Sequence, residues 1–120
     1  MDRPSVSEAS RRAYDTIADR LVADGAARGQ MMGMPTLYIG GKAFVGLLGD
    51  AMVFKLDGDA HTDALRLPGA VLFDPSGRGR PMKAWVQVPL QAASGWPQLA
   101  DEALLTARTS PASRSSRATR

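Results

Sequence analysis

The single histidine of the chain, His61, lies among acidic residues and is the first place to look for chemistry. Asp57 and Asp59 precede it and Asp63 follows it, so carboxylate oxygens could be offered to a hard cation. A calcium loop needs further ligands and a closing glutamate at fixed spacing, which this stretch lacks. We therefore expect a solvated turn and helix cap here, with no metal site. One histidine also excludes two-histidine metal sites and mechanisms.

Motifs for nucleophiles, phosphates and cofactors are absent or incomplete. The chain has no cysteine, which excludes thiol nucleophiles, disulfides and thiolate metal sites. No Gly-x-Ser-x-Gly elbow occurs, so Ser76 and Ser94 are expected to be loop serines. Gly40-Gly41-Lys42 ends like a phosphate loop, but that pattern requires other residues where this chain has Thr36 and Ala43. A hairpin turn explains these glycines, and we expect no cofactor.

Three basic residues, Arg78, Arg80 and Lys83, are the best candidates for binding an anion or a partner. They lie in and just after a loop of glycine, proline and serine. Two guanidinium groups on such a loop could bind phosphate or carboxylate. Alternatively, Arg80 pairs with a sheet-edge acid such as Asp50 or Asp74, or is solvated like most loop charges.

The excess positive charge belongs to the C-terminal tail. The formal net charge is +3, and omitting Arg114, Arg117 and Arg120 brings it to zero. Residues 109–120, TSPASRSSRATR, contain no large apolar side chain, so we expect a disordered tail. Its arginines could add weak, salt-sensitive contact with nucleic acid, although a terminus without a role is the simpler interpretation.

The elements that would position these residues begin with an amphipathic helix. Ser5 at the N-cap and Glu8 three residues later match a capping box, and Gly25 is suited to end the helix. One stripe of apolar residues has helical spacing: Tyr14, Ile17, Ala18, Leu21 and Val22. This pattern predicts a helix that packs one face against a sheet.

Residues 31–56 predict an antiparallel meander. A short strand at 31–34 leads through Pro35, which we expect at an edge or a bulge, into the alternating residues 36–39. Gly40-Gly41 and Gly49-Asp50 then supply two-residue turns before strands at 43–48 and 51–56.

The remaining elements complete one α+β domain over residues 1–108. We expect a short helix at 60–67, a fourth strand at 71–73, and a fifth at 82–88 with Trp85 half-buried. A closing helix at 96–108 is predicted from apolar residues at helical spacing: Trp96, Leu99, Ala100, Ala103, Leu104 and Ala107. The sheet would thus have about five strands. No apolar run approaches the roughly 20 residues of a membrane helix.

Four stretches of this sequence resemble the TfoX/Sxy N-terminal-domain family. They are Met31-Met32-Gly33-Met34-Pro35, Gly41-Lys42-Ala43-Phe44, Met52-Val53-Phe54-Lys55-Leu56, and Gly79-Arg80-Pro81-Met82-Lys83 followed by Trp85. Met32 stands where the family has phenylalanine. The resemblance implies a secretion-chaperone-like α+β domain with helices on one side of the sheet, distantly related to YjbR-like domains.

The function that this resemblance implies is regulatory rather than catalytic. Named family members regulate competence genes by assisting a transcription activator, and they carry a C-terminal helical domain that these 120 residues do not include. The family supplies no catalytic residues. We therefore expect a stand-alone, non-enzymatic binding or adaptor module acting through protein contacts. Nucleic-acid association through the tail and the Arg78–Lys83 loop is the alternative, and a small enzyme ranks last because no acid–base pair is evident.

The methionines, the sheet edges and the absence of cysteine bear on partners and location. Five of the six methionines fall in the expected strands, where they fill a core or line an adaptable binding face. Exposed edges of an antiparallel sheet also favour pairing into a homodimer. A chain without cysteine or a signal peptide fits the cytoplasm, and we expect no membrane contact.

Overall fold

A computed structural model describes residues 7–109, which form three α-helices and a six-stranded antiparallel sheet. The helices are α1 (Glu8–Ala23), α2 (Gly58–Leu65) and α3 (Trp96–Thr109), with a 3-10 helix at Leu90–Gly95 before α3. The strands are β1 (Ala27–Met31), β2 (Met34–Ile39), β3 (Lys42–Leu48), β4 (Ala51–Lys55), β5 (Val71–Phe73) and β6 (Met82–Pro89). The α+β class is confirmed, with one more strand than expected.

The first helix begins at a different residue from the one predicted. Ser7 is the N-cap, and its side chain accepts a hydrogen bond from the Ser10 N–H at 3.2 Å. Glu8 is therefore the first helical residue and cannot complete a capping box with Ser5, which lies outside the described residues. The buried Ser10 hydroxyl also donates to Asp50 Oδ1 at 2.8 Å. This contact fixes the start of α1 against the β3–β4 turn.

Residues 31–34 form a hairpin turn, so the strand predicted there is wrong. Met32 and Gly33 have φ angles of +53° and +78°, the signature of a type I′ turn. The turn joins β1 to β2, and the polar composition of β1 gave no strand signal in the sequence.

Pro35 lies in β2, the second strand of the sheet, and not at a sheet edge. Its partner in β1 is Gln30. In a two-residue hairpin the pair flanking the turn, Met31 and Met34, is hydrogen-bonded, so the following pair is not. Pro35 therefore needs no N–H toward β1. Pairing of β2 with β3 starts one residue later, at Thr36.

The turns predicted at Gly40-Gly41 and Gly49-Asp50 are confirmed. Between them, β3 contains a bulge, because Leu37 pairs with Val45 while Tyr38 pairs with Ala43. Phe44 is the extra residue, so Phe44 and Val45 both enter the main core.

The helices cover one face of the sheet and form the main core with it. The stripe predicted for α3 is confirmed in full, since all six of its residues are buried. The Trp96 indole N–H donates to the Val88 carbonyl oxygen at 3.2 Å. None of the helices within residues 7–109 is long and apolar enough to cross a membrane.

The strand order β1-β2-β3-β4-β6-β5 places β6 inside the sheet. The chain leaves β4 through α2, forms the edge strand β5, and returns as β6 between the two. Trp85 is consequently buried, with 5% of its surface exposed, and not half-buried as predicted. Its ring packs edge-to-face against Phe73, with centroids 6.5 Å apart.

Candidate functional site

The loop between β5 and β6, residues 74–81, is organised by the Asp74 carboxylate. Oδ1 accepts from the Ser76 hydroxyl at 2.7 Å and from the N–H groups of Ser76 and Gly77; Oδ2 accepts from the Gly79 N–H at 2.9 Å. The Ser76 hydroxyl, followed by the backbone N–H groups, holds the pKa of Asp74 below its usual value. Asp74 is therefore ionised at neutral pH and fixes the shape of the loop.

The three predicted basic residues lie on or directly after this loop, and all three side chains are exposed. The Arg78 backbone N–H donates to the Ser76 hydroxyl at 3.1 Å, so its position is set by the same network. Within residues 7–109, no salt bridge involves Arg78, Arg80 or Lys83. We call these three side chains, with the loop that carries them, the cationic loop.

The acids suggested as partners of Arg80 have other contacts. Asp74 accepts the hydrogen bonds of its own loop. Asp50 accepts from the Ser7 N–H at 2.9 Å and from Ser10. It lies beside Ala51, which pairs with Pro89 at the far end of β6. The length of β6 therefore separates Asp50 from Arg80.

His61 connects α2 to the same part of the sheet. Its Nε2 lies 2.7 Å from the Lys83 carbonyl oxygen, and because a carbonyl can only accept, Nε2 donates this bond. Asp57 is the N-cap of α2 by backbone position, but its side chain makes no capping bond and lies 3.5 Å from the Thr106 hydroxyl. In the described part of the chain, no three His, Asp or Glu residues are grouped to hold a metal ion.

A second apolar cluster lies on the sheet face opposite the helices and consists of strand residues alone. Its buried members are Met34, Val53, Phe73 and Trp85, with Met31, Ala43, Leu48 and Met82 packed around them. We call this surface the second face. By alternation and register, its positions on β1, β2 and β3 carry no charged side chain: Ala27, Gly29, Met31, Met34, Thr36, Tyr38, Ala43, Gly46 and Leu48.

The second face meets the cationic loop at one corner of the sheet. Phe73 directly precedes the loop, Met82 directly follows it, and both belong to the second cluster. At the opposite edge of the sheet, Met32 projects from the β1–β2 turn with 58% of its surface exposed. Val71 lies on β5, two residues before Phe73, and is 51% exposed. The face is not uncharged throughout, because Lys55 on β4 pairs with Trp85. The arrangement combines a largely apolar surface with three exposed cations on a loop whose backbone is fixed at Ser76–Gly79.

The sequence predicted the cations, and it offered a methionine-lined binding face as an alternative to core filling without locating that face. The methionine-rich composition of residues 31–34 was the available signal. The strand predicted at 31–34 left no turn there, so the exposure of Met32 was not predicted. The tail arginines Arg114, Arg117 and Arg120 lie outside the described residues, so their predicted role stays a prediction.

Comparison with known proteins supplies no relative from which a role could be transferred. No family model matches the chain, and no curated protein or solved structure shows significant similarity to it. The chemistry available to the chain follows from its own contacts. The second face can bury apolar groups of a partner, and the cationic loop can bind carboxylate or phosphate.

Proposed function

We propose that this protein is a small, non-enzymatic binding module that holds a partner protein on its second face. The observation that carries the proposal is the apolar character of that face, which has no charged side chain on three neighbouring strands. A soluble antiparallel sheet commonly has polar side chains on its solvated face. The resemblance to the TfoX/Sxy N-terminal domain supports an adaptor role in regulation, and the cysteine-free composition supports a cytoplasmic location.

The cationic loop favours a partner with acidic residues beside its apolar contact. Because Asp74 already orders the loop backbone, the ordering cost of binding a carboxylate is confined largely to the side chains of Arg78 and Arg80. Guanidinium groups also bind carboxylates in a bidentate geometry that a single ammonium cannot reproduce. The apolar face would supply affinity, and the loop would supply orientation.

The test compares the proteins retained from native lysate by full-length wild type and by variants of the second face. Met32→Asn removes the exposed apolar side chain from a turn position that asparagine tolerates well. Val71→Lys places a charge on the same face. Leu105→Asn is the matched control, since Leu105 lies on α3 and is also 58% exposed.

We expect one protein to be retained by wild type and by the Leu105 variant, and to be lost from both second-face variants. Its elution from the Arg78→Glu/Arg80→Glu double variant at lower salt than from wild type would identify the loop contribution. Equal retention by every variant would contradict the proposal, as would loss from the Leu105 variant alone.

Nucleic-acid association is the second candidate, favoured by the three cations that lack salt bridges within the described residues. Lys83 and the two loop arginines could contact phosphates, joined by Arg114, Arg117 and Arg120 of the tail. Such binding is electrostatic and weakens steeply as salt rises. It requires no base-specific contact.

Fluorescence anisotropy with a labelled single-stranded DNA and its duplex tests this candidate. We expect the Arg78→Ala/Arg80→Ala variant to bind more weakly with a shallower salt dependence, by about one unit of slope per lost phosphate contact. Arg66→Ala serves as the control, since Arg66 is an exposed arginine on the helix side of the chain, 3.9 Å from Asp63. No binding at low salt would exclude the candidate.

A further inference from the structure

The first strand of the sheet is an exposed edge with little protection. β1 occupies one end of the strand order, and Arg28, Gly29 and Gln30 are all exposed. Natural edge strands are commonly blocked by lysine, proline or a bulge. β1 has none of these: its sequence is Ala-Arg-Gly-Gln-Met and its five residues pair with β2 in continuous register.

The backbone of β1 offers two adjacent sets of hydrogen-bonding groups to its outer side. Since Met31 and Met34 flank a two-residue turn, they form a hydrogen-bonded pair, and alternate residues follow the same pattern. The N–H and C=O groups of Met31, Gly29 and Ala27 therefore point toward β2. Those of Arg28 and Gln30 point away from the sheet.

The one charged residue of β1, Arg28, directs its side chain away from this edge. The Arg28 guanidinium donates to Asp15 at 3.1 Å and to Asp19 at 2.7 Å, both on α1, and lies over the Tyr14 ring. These two carboxylates raise the pKa of Arg28 further above its already high value. The side chain is thus directed onto the helix side and is neutralised there.

Tyr38 supports the same edge from the second face. Its ring covers Gly29, where a Cβ atom would lie 2.9 Å from the ring, and its hydroxyl donates to the Gln30 carbonyl oxygen at 2.8 Å. A carbonyl oxygen has two lone pairs, so Gln30 can still accept a second bond. The Tyr38 contacts therefore support the extended backbone of β1 and leave its outward groups able to form hydrogen bonds.

We infer that β1 pairs with β1 of a second copy of this chain, antiparallel about a two-fold axis at Gly29. This register sets Arg28 opposite Gln30 of the partner, so that the outward groups of both residues form four hydrogen bonds. It sets Ala27 opposite Met31 of the partner. The two six-stranded sheets would then join into one, with the second face continuous across the junction.

Charge selects this register over its neighbours. A shift of the pairing that sets Arg28 opposite itself would bring like charges together, which destabilises a cross-strand pair. The opposite shift would pair Gln30 with itself and set Arg28 against the turn residue Met32, where no strand partner is available. The self-complementary register also satisfies the isologous symmetry that most homodimers adopt.

An open groove of about 300 Å³ beside the edge provides further contact area. Its lining residues are Arg11, Tyr14, Arg28, Gly29, Gln30 and Pro35. It runs between α1 and the hairpin, on the side to which Arg28 and Gln30 direct their side chains. Gln30 of the partner, whose side chain lies on this side of the joined sheet, would pack beside the groove and add to the burial that strand pairing alone supplies.

The first experiment measures the solution mass of full-length protein by light scattering across a range of concentrations. We expect wild type to have twice the mass of one chain at high concentration. Gln30→Pro removes an outward N–H and none of the hydrogen bonds between β1 and β2, so we expect a folded monomer. Gln30→Thr keeps that N–H and should dimerise like wild type.

The second experiment tests the register directly, using the absence of native cysteine. The double variant Ala27→Cys/Met31→Cys places cysteines opposite each other in a non-hydrogen-bonded pair, where Cα atoms are about 4.5 Å apart. We expect a disulfide-linked dimer on oxidation. The single variant Ala27→Cys puts the two thiols too far apart and should stay largely uncrosslinked.

A monomeric wild type at every concentration would overturn the inference, and would leave β1 open to an extended peptide instead. A dimer that persists unchanged in a folded Gln30→Pro variant would place the interface elsewhere and also overturn it. Should that variant fail to fold, equal crosslinking of the single and double cysteine variants is the contradicting result. None of these outcomes depends on a partner bound at the second face.

Discussion

Single polar side chains decide the shapes of the two turns that border the functional surfaces. Asp50 fixes the β3–β4 turn to α1 through Ser7 and Ser10, and Asp74 fixes the cationic loop. Both carboxylates have a pKa below the usual value because hydroxyl and N–H groups donate to their ionised forms. A carboxylate with many donors is therefore a local organiser even at an exposed position.

Asp74 gives the first prediction at this scale. Its folded pKa lies below the unfolded value, so its contribution is present above about pH 4 and is lost as pH falls through the lower folded pKa. We expect amide exchange protection at Gly77 and Gly79 to fall in that acidic range, measured by NMR. Asp74→Ala should lose this protection at all pH values. Protection that is independent of pH in wild type would contradict the assignment.

The second prediction at the residue scale concerns the pKa of Tyr14. Burial raises its pKa from 10.0 to about 12, against a smaller opposite effect of Arg28. The unfolded chain therefore ionises this phenol first, and folding stability should be lost as pH rises from 10 toward 12. Urea unfolding at several alkaline pH values should show a weaker pH dependence for Tyr14→Phe than for wild type. Tyr38→Phe is the control, and its stability should keep the alkaline pH dependence that Tyr14 produces in wild type.

At the scale of elements, hairpin turns determine where each strand begins and ends. The Gly40-Gly41 turn has φ angles of +57° and +80° at two residues that tolerate them. The Met32-Gly33 turn has the same geometry but places a methionine at +53°. A left-handed conformation at a non-glycine residue costs on the order of 1 kcal/mol, and here it falls on an exposed turn residue.

Met32→Asn should therefore stabilise the fold, although it removes the exposed apolar side chain proposed to contact a partner. Asparagine is the favoured first residue of a type I′ turn, and we expect a gain of about 0.5–1 kcal/mol in the free energy of unfolding. Gly33→Ala is the matched change at the next position, where φ is +78°, and should lose about 1 kcal/mol. Urea denaturation measures both. A destabilised Met32→Asn would show that the methionine packs against the domain.

At the scale of the whole molecule, two apolar clusters share the same strands. Phe54 and Val86 belong to the helix-side core, whereas their neighbours Val53 and Trp85 belong to the second cluster. Since adjacent residues of one strand serve opposite faces, neither cluster can lose its packing without disturbing the other. We therefore expect one cooperative unfolding transition.

Trp96→Phe makes this expectation measurable, because it leaves Trp85 as the single tryptophan. Fluorescence of Trp85 would then report on the second cluster, while circular dichroism reports on the helices. We expect the two urea transitions to coincide, at a lower midpoint than wild type since the bond to Val88 is lost. Separate transitions would show that the second cluster forms independently.

Periodicity in the sequence determined the parts of the fold that depend on local pattern. The helical spacing of Trp96 to Ala107 predicted α3, and Gly40-Gly41 and Gly49-Asp50 predicted the β2–β3 and β3–β4 turns. These features are encoded by neighbouring residues, because burying one helix face or adopting positive φ is a local requirement. The basic residues of the cationic loop were also predictable, because residue type and loop composition are local properties of the sequence.

Only the tertiary structure decided the features that depend on strand pairing. The polar residues Ala27–Met31 form a strand because β2 pairs with them, and Trp85 is buried because β6 is inserted between β4 and β5. The second face is assembled from side chains far apart in the chain, so no local sequence pattern locates it. Strand order and register bring such residues together, and these are set by the packing of the whole sheet against its helices.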